Sequence, residues 1–306
     1  MSETDIPANP TRAGFVAVIG APNAGKSTLV NRLTGTKVSI VSPKVQTTRA
    51  RVLGIRIEGR TQIAFMDTPG LFKPRRRLDR AMVAAAWGGA GEADRTLLLV
   101  DAAHGLDEDT TAIVARLKAM GRTDVILALN KVDIADKPKL LALADTLNRE
   151  GVFSDVFMIS AETGNGGDDL LAFLAARMPE GPWLFPEDQV SDMPERMLAA
   201  EIVREQLYRQ LRQELPYQAT VETESWQDRK DGSVRIEQTI YVQRESQRSI
   251  VLGKKGERIR AIGQTARQEL ESILERRVHL FLFVKVREGW GDDPERYRAL
   301  GLDFDA

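Results

Sequence analysis

Residues 20 to 28 read GAPNAGKST, and the stretch Gly20–Ser27 fits the pattern G-x-x-x-x-G-K-[ST]. It follows an apolar run of strand length, FVAVIG, and opens a helical stretch, Lys26–Leu33. That context constrains the fold more than any other feature. Glycines let a strand-to-helix turn curl so that its backbone N–H groups, with the helix N-terminus behind them, converge on an anion. Gly20, Ala21, Pro22, Asn23, Ala24 and Gly25 supply the loop, and Thr28, just into the helix, is expected with them among the nucleotide-binding residues. Lys26 is then placed to bridge terminal phosphates, and the Ser27 hydroxyl to ligate Mg²⁺.

The rest of the N-terminal half agrees with such a turn. FVAVIG, TLLLVDA, VILALNK and VFMIS are continuous apolar runs, as parallel strands covered on both faces require. Helical patterns lie between them at Lys26–Leu33, Arg80–Ala86, Asp107–Lys118, Lys137–Arg149 and Asp168–Arg177. This alternation predicts an α/β fold, a P-loop NTPase doubly wound sheet. RVLGIRIEG and TQIAFMD, joined by Gly59–Arg60, read as a hairpin, so one edge strand is expected to be antiparallel. The segment Met178–Glu195 holds four prolines and no periodicity, which marks a linker. Beyond it the order helix, two strands, two helices, strand predicts a smaller α+β domain. The expected partition is a flexible N-terminus (1–13), a nucleotide-binding domain (14–179), a linker (180–195), the α+β domain (196–288) and an acidic C-terminal tail (289–306).

Composition narrows the chemistry. The 306 residues are enough for two cores and contain no cysteine, so disulfides, thiol catalysis and Cys-based metal sites are excluded. Two histidines make a His-based zinc site a poor expectation. The opening MSETDIPANPTRAG has no signal-peptide pattern, and no apolar run reaches the roughly 18–20 residues of a membrane span, so a cytoplasmic location is expected. Charge is uneven: from Arg244 to Arg287 eleven Lys or Arg face five Asp or Glu, and from Glu288 onward two face six. A basic segment of that kind suits a local anionic partner.

Three further motifs end predicted strands: Asp67, Thr68, Pro69 and Gly70 (DTPG), Asn130 to Asp133 (NKVD), and Ser160 to Glu162 (SAE). Strand C-termini are where ligands bind in open α/β sheets. NKVD also selects a base. A carboxylate at Asp133 accepts from both N1–H and the 2-amino group of guanine, whereas adenine would leave that charge unpaired, a difference worth about 10⁴-fold.

The ordered set GAPNAGKS, Thr47–Thr48, DTPG, NKVD and SAE resembles the TRAFAC-class translation-factor-like GTPases over about half the chain. The resemblance implies that GTP and GDP are the ligands, that Asp67 holds Mg²⁺ through water, and that the Gly70 amide senses the γ-phosphate. Asn130 and Lys131 would frame the guanine, beside Ser160, and the Ala161 backbone would meet its O6. Thr48 would close over Mg²⁺ when the γ-phosphate is present; Thr47 is its rival. One position departs from the common pattern. Many GTPases place a water-orienting glutamine after D-x-x-G, and here that position is Leu71. GTPases with an apolar residue there resemble a subgroup in which a P-loop asparagine holds K⁺, and Asn23 occupies the matching place. Lys26, Thr48 and Asn23 are thus the expected catalytic residues, with intrinsically slow turnover.

Far along the chain, Gly253, Lys254, Lys255 and Gly256 form a second glycine-framed loop, GKKG, without the companions of the first. It fits the G-x-x-G clamp of KH domains, which grips about four nucleotides of single-stranded nucleic acid. The αββααβ order resembles the type II KH arrangement. Lys254, Lys255 and Arg258 would meet RNA, with Ile250, Val251, Ile259 and Ile262 lining the base groove or its floor.

A GTPase domain joined to a type II KH domain resembles the Era family, as does the tail VKVREGWGDDPERYRALGLDF. The similarity runs from about Gly14 to Phe304. It implies a monomer that binds the 3′ end of small-subunit (16S) ribosomal RNA and acts in small-subunit assembly, with peripheral association at the inner membrane face. Lys73–Arg77 (KPRRR), just after DTPG, reads either as a contact for RNA or anionic lipid or as a solvated basic loop. Two other readings stay open: an RNA-binding assembly factor whose nucleotide site scarcely turns over, and an RNA-modification GTPase.

Overall fold

The computed structural model describes residues 10–45, 47–211, 215–289 and 293–306. In chain order the first unit contains β1 (Arg12–Ile19), α1 (Lys26–Thr34), β2 (Val52–Glu58), β3 (Thr61–Asp67), α2 (Arg77–Glu92), β4 (Arg95–Asp101), α3 (Glu108–Ala119), β5 (Val125–Asn130), α4 (Lys137–Asn148), β6 (Phe153–Met158) and α5 (Gly167–Ala176). Its six strands form one sheet, ordered β2-β3-β1-β4-β5-β6. Every pairing is parallel except that of β2 with β3, so the expected antiparallel strand is β2, at the edge.

Alternation along the central strand divides the core. Ala17 and Ile19 of β1 face a cluster with Trp87 of α2, Ile113 of α3 and Leu140 of α4. Val16 and Val18 face Leu29 of α1 and Leu170 of α5. Both faces are dry at β1, β4 and β5, so those strands can be apolar throughout; the edge strand β6, whose VFMIS run is also expected to be covered on both faces, instead alternates and leaves Val156 and Met158 exposed.

Helix α2 continues past Ala86, where the sequence reading ends it, through a stretch with three glycines to Glu92. Glycine lowers intrinsic helix propensity, but tertiary burial of Trp87, Gly89 and Ala90 offsets that cost. The proline-rich segment lies against the sheet rather than standing off it. Ile55 N–H donates to the Val190 carbonyl at 2.9 Å, and the Gln62 side chain bonds the backbone of Leu184 and Phe185. At the N-terminus, expected to be flexible through residue 13, Arg12 and Ala13 are already in β1; the first nine residues of that segment lie outside the described ones.

The second unit contains α6 (Glu195–Gln210), a 3₁₀ turn (Leu215–Gln218), β7 (Ala219–Asp228), β8 (Val234–Val242), α7 (Glu245–Leu252), a 3₁₀ turn over GKKG, α8 (Glu257–Leu274) and β9 (Val278–Val286). Its three strands run β7-β8-β9, the first pair antiparallel and the second parallel. Val203, Leu207, Ile236, Ile240, Ile262 and Leu270 are among its core residues. A last helix, α9 (Pro294–Ala299), falls in the segment read as an acidic tail. There Tyr297 and Leu302 pack on Ala81 and Met82 of α2, which docks this part of the chain on the first unit. Among the described residues no helix is long and apolar enough to cross a membrane.

Candidate nucleotide and RNA sites

The first glycine loop joins β1 to α1 and lines a cleft of about 530 Å³ with Ser42, Lys44, Thr47, Thr48, Gly70 and Lys131. A side chain at Gly25 would put its Cβ 2.3 Å from Asn130 Nδ2, and its φ of 98° is left-handed, so only glycine fits there. Asn130 is the tie between the motifs. Buried at the end of β5, it donates from Nδ2 to the Ala24 carbonyl at 2.8 Å and accepts at Oδ1 from the Ala161 N–H at 2.9 Å. GAPNAGKS, NKVD and SAE, separate in sequence, are thereby fixed to one another. That Ala161 amide, expected to meet the guanine, is engaged by Asn130 in this structure. Lys131 adopts a left-handed φ of 66° and donates to Asp101 Oδ2 at 2.6 Å. Asp101 is a residue that sequence reading missed; its only signal is its place at the end of β4. Asp133 is exposed, open to a base, and Ser160 is buried.

At the phosphate end, Lys26 folds back to donate to the carbonyls of Gly20 and Ala21 at 3.1 and 2.9 Å. Burial lowers its pKa from 10.5 to about 8, although the nearby Asp67 charge pulls it up. Asp67 is fully buried at the end of β3, and burial raises its pKa against the bonds and charge that favour the carboxylate. Its Oδ2 accepts from Ser27 Oγ at 2.7 Å, and Thr48 Oγ1 lies 2.9 Å from Ser27 Oγ. Its Oδ1 has no hydrogen-bond partner among the described residues. A buried carboxylate with one orphaned oxygen, beside two hydroxyls, is a hard-oxygen donor set that fits Mg²⁺. Thr48 therefore sits with Ser27 and Asp67, while Thr47 Oγ1 turns away to Ser42 and the Lys44 carbonyl. Thr68 Oγ1 bonds the Val18 carbonyl, holding DTPG against β1.

Leu71 is 2% exposed and belongs to the core beside α2, while its N–H donates to the Gly20 carbonyl at 3.0 Å. Its side chain is apolar and buried in that core, so it cannot orient water. Asn23 is exposed with a left-handed φ of 63°, a conformation that asparagine tolerates well.

The second glycine loop caps α8. Gly253 has φ 71°, and a Cβ there would lie 2.7 Å from Arg258 Cβ. Lys254 and Lys255 are exposed, whereas Arg258 bonds the Ile250 carbonyl at 2.6 Å and closes the end of α7. Two of the expected groove residues are corrected: Val251 and Ile262 are fully buried in the KH core, because the spacing that aligns them on one face of each helix turns that face inward. Ile250 is 47% exposed, and Ile259 is partly buried at the core margin.

Polar contacts join the two units behind the Thr47–Thr48 loop. Arg49 reaches from that loop into the second unit, donating to the Ala219 carbonyl and Tyr208 Oη at 3.1 Å each. Lys37 pairs with Glu205 of α6 and Glu269 of α8.

Fold and site together define a P-loop GTPase domain followed by a KH domain. The sequence matches the family model described as a 50S ribosome-binding GTPase over residues 15–131 and a KH domain model over 214–291. It is 63% identical to the GTPase Era of Brucella suis biovar 1 over 297 residues, 97% of this chain and 95% of that one. Identity to the GTPase Era of Rhizobium meliloti is 62% over 302 residues, 99% and 96% of the two chains. Two solved structures superpose with TM-scores of 0.89 at 41% identity, covering 95% of this chain and 99% of theirs. One is a single-residue variant of Aquifex aeolicus Era bound to GDP·AlF₄⁻; the other is Era with MgGDPNP and nucleotides 1506–1542 of 16S ribosomal RNA. The chain belongs to the Era family of GTPases.

Proposed function

We propose that this chain is a switch: it binds Mg²⁺·GTP in the cleft between the GAPNAGKS and NKVD loops and hydrolyses it slowly to GDP and phosphate. Through its KH domain it grips the single-stranded 3′ end of 16S ribosomal RNA during assembly of the small ribosomal subunit. The observation that carries the nucleotide half is the Asp67, Ser27 and Thr48 cluster beside buried Lys26. The relative solved with MgGDPNP and 16S nucleotides 1506–1542 supports both halves.

In this reading Lys26 leaves its two carbonyl partners for the β- and γ-phosphates, and desolvation strengthens that contact. Ser27 and Thr48 would hold Mg²⁺, with Asp67 accepting through water, and the ion when bound neutralises charge on the phosphates. The Gly70 amide would report the γ-phosphate, Asn130 would hold the base loop, and Asp133 would accept from guanine. Since Leu71 offers no polar atom, attack depends on charge near the phosphates, which Asn23 would supplement by holding K⁺. Lys254 and Lys255 would contact the RNA backbone, and Arg258 would brace the clamp. The exposed residues at 73–75 would support a peripheral contact with the inner membrane face.

The contacts of Arg49 and Lys37 support coupling between nucleotide and RNA, since ordering the loop at Thr48 must act on groups bonded to the KH domain. Single-turnover GTP hydrolysis, with and without the 1506–1542 RNA, tests this function. Slow turnover that responds to RNA is expected; a protein that binds GTP and does not cleave it would favour the assembly-factor reading instead.

A further inference from the structure

Strand β9 has two different sides. Val278, Leu280, Leu282 and Val284 face the KH core, while His279, Phe281, Phe283 and Lys285 point to the opposite face of the sheet. Phe281 and Phe283 are 43% and 50% exposed. Two large aromatic side chains two residues apart on a strand form one patch, and an open apolar patch of that kind marks an interaction surface. On the neighbouring strand, Glu237 and Thr239 lie beside the two phenylalanines, and the Arg235 guanidinium stands 4.8 Å from the Phe281 ring. The far side of the face is covered: Arg296 of α9 pairs with Glu222 of β7 and stands over Tyr241. On the β9 side, no strand pairs with the outer edge among the described residues.

We propose that Phe281 and Phe283 form a stacking platform for single-stranded RNA that continues out of the GKKG groove over the edge of β9. Three observations select RNA over a protein partner. On β9 itself the aromatic pair is flanked by His279 and Lys285, beside it Arg235 is ion-paired with Glu237, and the acidic Glu222 and Glu224 lie on the strand farthest from it. The platform is joined to the clamp: Arg248 of α7 donates to the Val284 carbonyl at 3.3 Å, and Gly263 of α8 abuts Leu282, so the strand that bears the aromatic patch packs on both helices that flank GKKG. A KH clamp holds only about four nucleotides, and a longer single strand needs further surface, which aromatic faces beside cations provide without regard to sequence.

The proposal rests on the reading of the KH domain as an RNA clamp, and the test separates the two. Full-length protein is titrated at fixed salt with RNA of the 16S sequence 1506–1542 and with a nested series shortened from each end. The Phe281→Ala, Phe283→Ala double variant should bind the full fragment about thirtyfold more weakly or worse, from the loss of stacking on two bases, and bind the shortest member still held by wild type unchanged. Phe283→Trp should keep wild-type affinity, and Gly253→Asp should weaken every member. Wild-type affinity of the double variant for the full fragment overturns the platform, as does an equal loss across the series, which would place the pair's effect in the clamp or the fold. If Gly253→Asp also binds as wild type, the KH reading falls with it.

Discussion

Arg204, buried in α6 of the KH domain, donates from Nη2 to the backbone carbonyl of Thr47 at 2.6 Å, one residue before the hydroxyl that faces Ser27 and Asp67. Burial opposes the arginine's charge, yet Glu201, one turn back and bonded to it, holds the guanidinium pKa above its ordinary value. The contact is therefore made by a permanent cation, and in the proposed switch it would carry an ordering of the loop by nucleotide into α6. Arg204→Met removes the bond while keeping much of the bulk. A charged hydrogen bond is worth about 1.5–3 kcal/mol, so the difference in RNA affinity between GTP-analogue and GDP states should shrink by about tenfold or more, read by fluorescence anisotropy in both states. An undiminished difference would place the coupling elsewhere.

The cost of burying Lys26 has a definite pH signature. Its pKa is near 10.5 when unfolded and about 8 in the ligand-free fold, so between those values the unfolded chain holds more protons. The Lys26 contribution to ligand-free stability should thus rise with pH through that window, and be absent from Lys26→Met. Nucleotide binding has the opposite trend, because phosphate favours the ammonium. Affinity should fall as pH rises through about 8, with proton uptake visible as a buffer-dependent binding enthalpy.

Asp67→Asn keeps an acceptor for Ser27 and removes the charge. If Asp67 orders the metal's water, the substitution should weaken Mg²⁺-dependent GTP binding by about 10–100-fold, the usual loss when such a partner is removed. Metal-free GDP binding should change little. A Mg²⁺ titration of nucleotide affinity measures both.

How these residues converge was partly legible in the sequence. The phosphate loop, DTPG, NKVD and SAE could be placed because each ends a strand, and parallel strands deliver their C-termini to one edge of the sheet. The Asn130 tie and the Arg204 contact could not, since both are made to backbone groups, which every residue has. Gly88, Gly89 and Gly91 hid the end of α2 because the sequence shows their propensity and not the burial around Trp87. VHLFLFVKV reads as a strand of a sheet whose faces need not both be covered, and nothing in its composition tells that Phe281 and Phe283 are the residues that face solvent. Val251 and Ile262 were misplaced for the converse reason: apolar helical spacing marks a buried face without saying whether core or ligand covers it.

Potassium is tested by turnover. If Asn23 holds the ion, GTP cleavage should be faster in potassium than in sodium, and Asn23→Ala should erase the difference while nucleotide affinity stays close to wild type. Equal rates in the two buffers would leave Asn23 as a loop-shaping residue alone, in keeping with its left-handed backbone.

RNA contact by the clamp carries a salt signature. Lys254→Ala and Lys255→Ala should each lower the slope of log affinity against log salt by about 0.7, the value for one phosphate on a single strand. GTP turnover without RNA should be unaffected, since both side chains are exposed on the KH domain.

The most direct test of the switch is the affinity of the wild-type protein for the 1506–1542 RNA measured twice at one salt concentration, with GDP and with a non-hydrolysable GTP analogue, both with Mg²⁺. Because Thr48 faces Ser27 and Asp67 while Arg204 and Arg49 tie its neighbours to the KH domain, the two affinities should differ, the GTP-analogue state binding more tightly. Equal affinities in the two states would contradict the coupling.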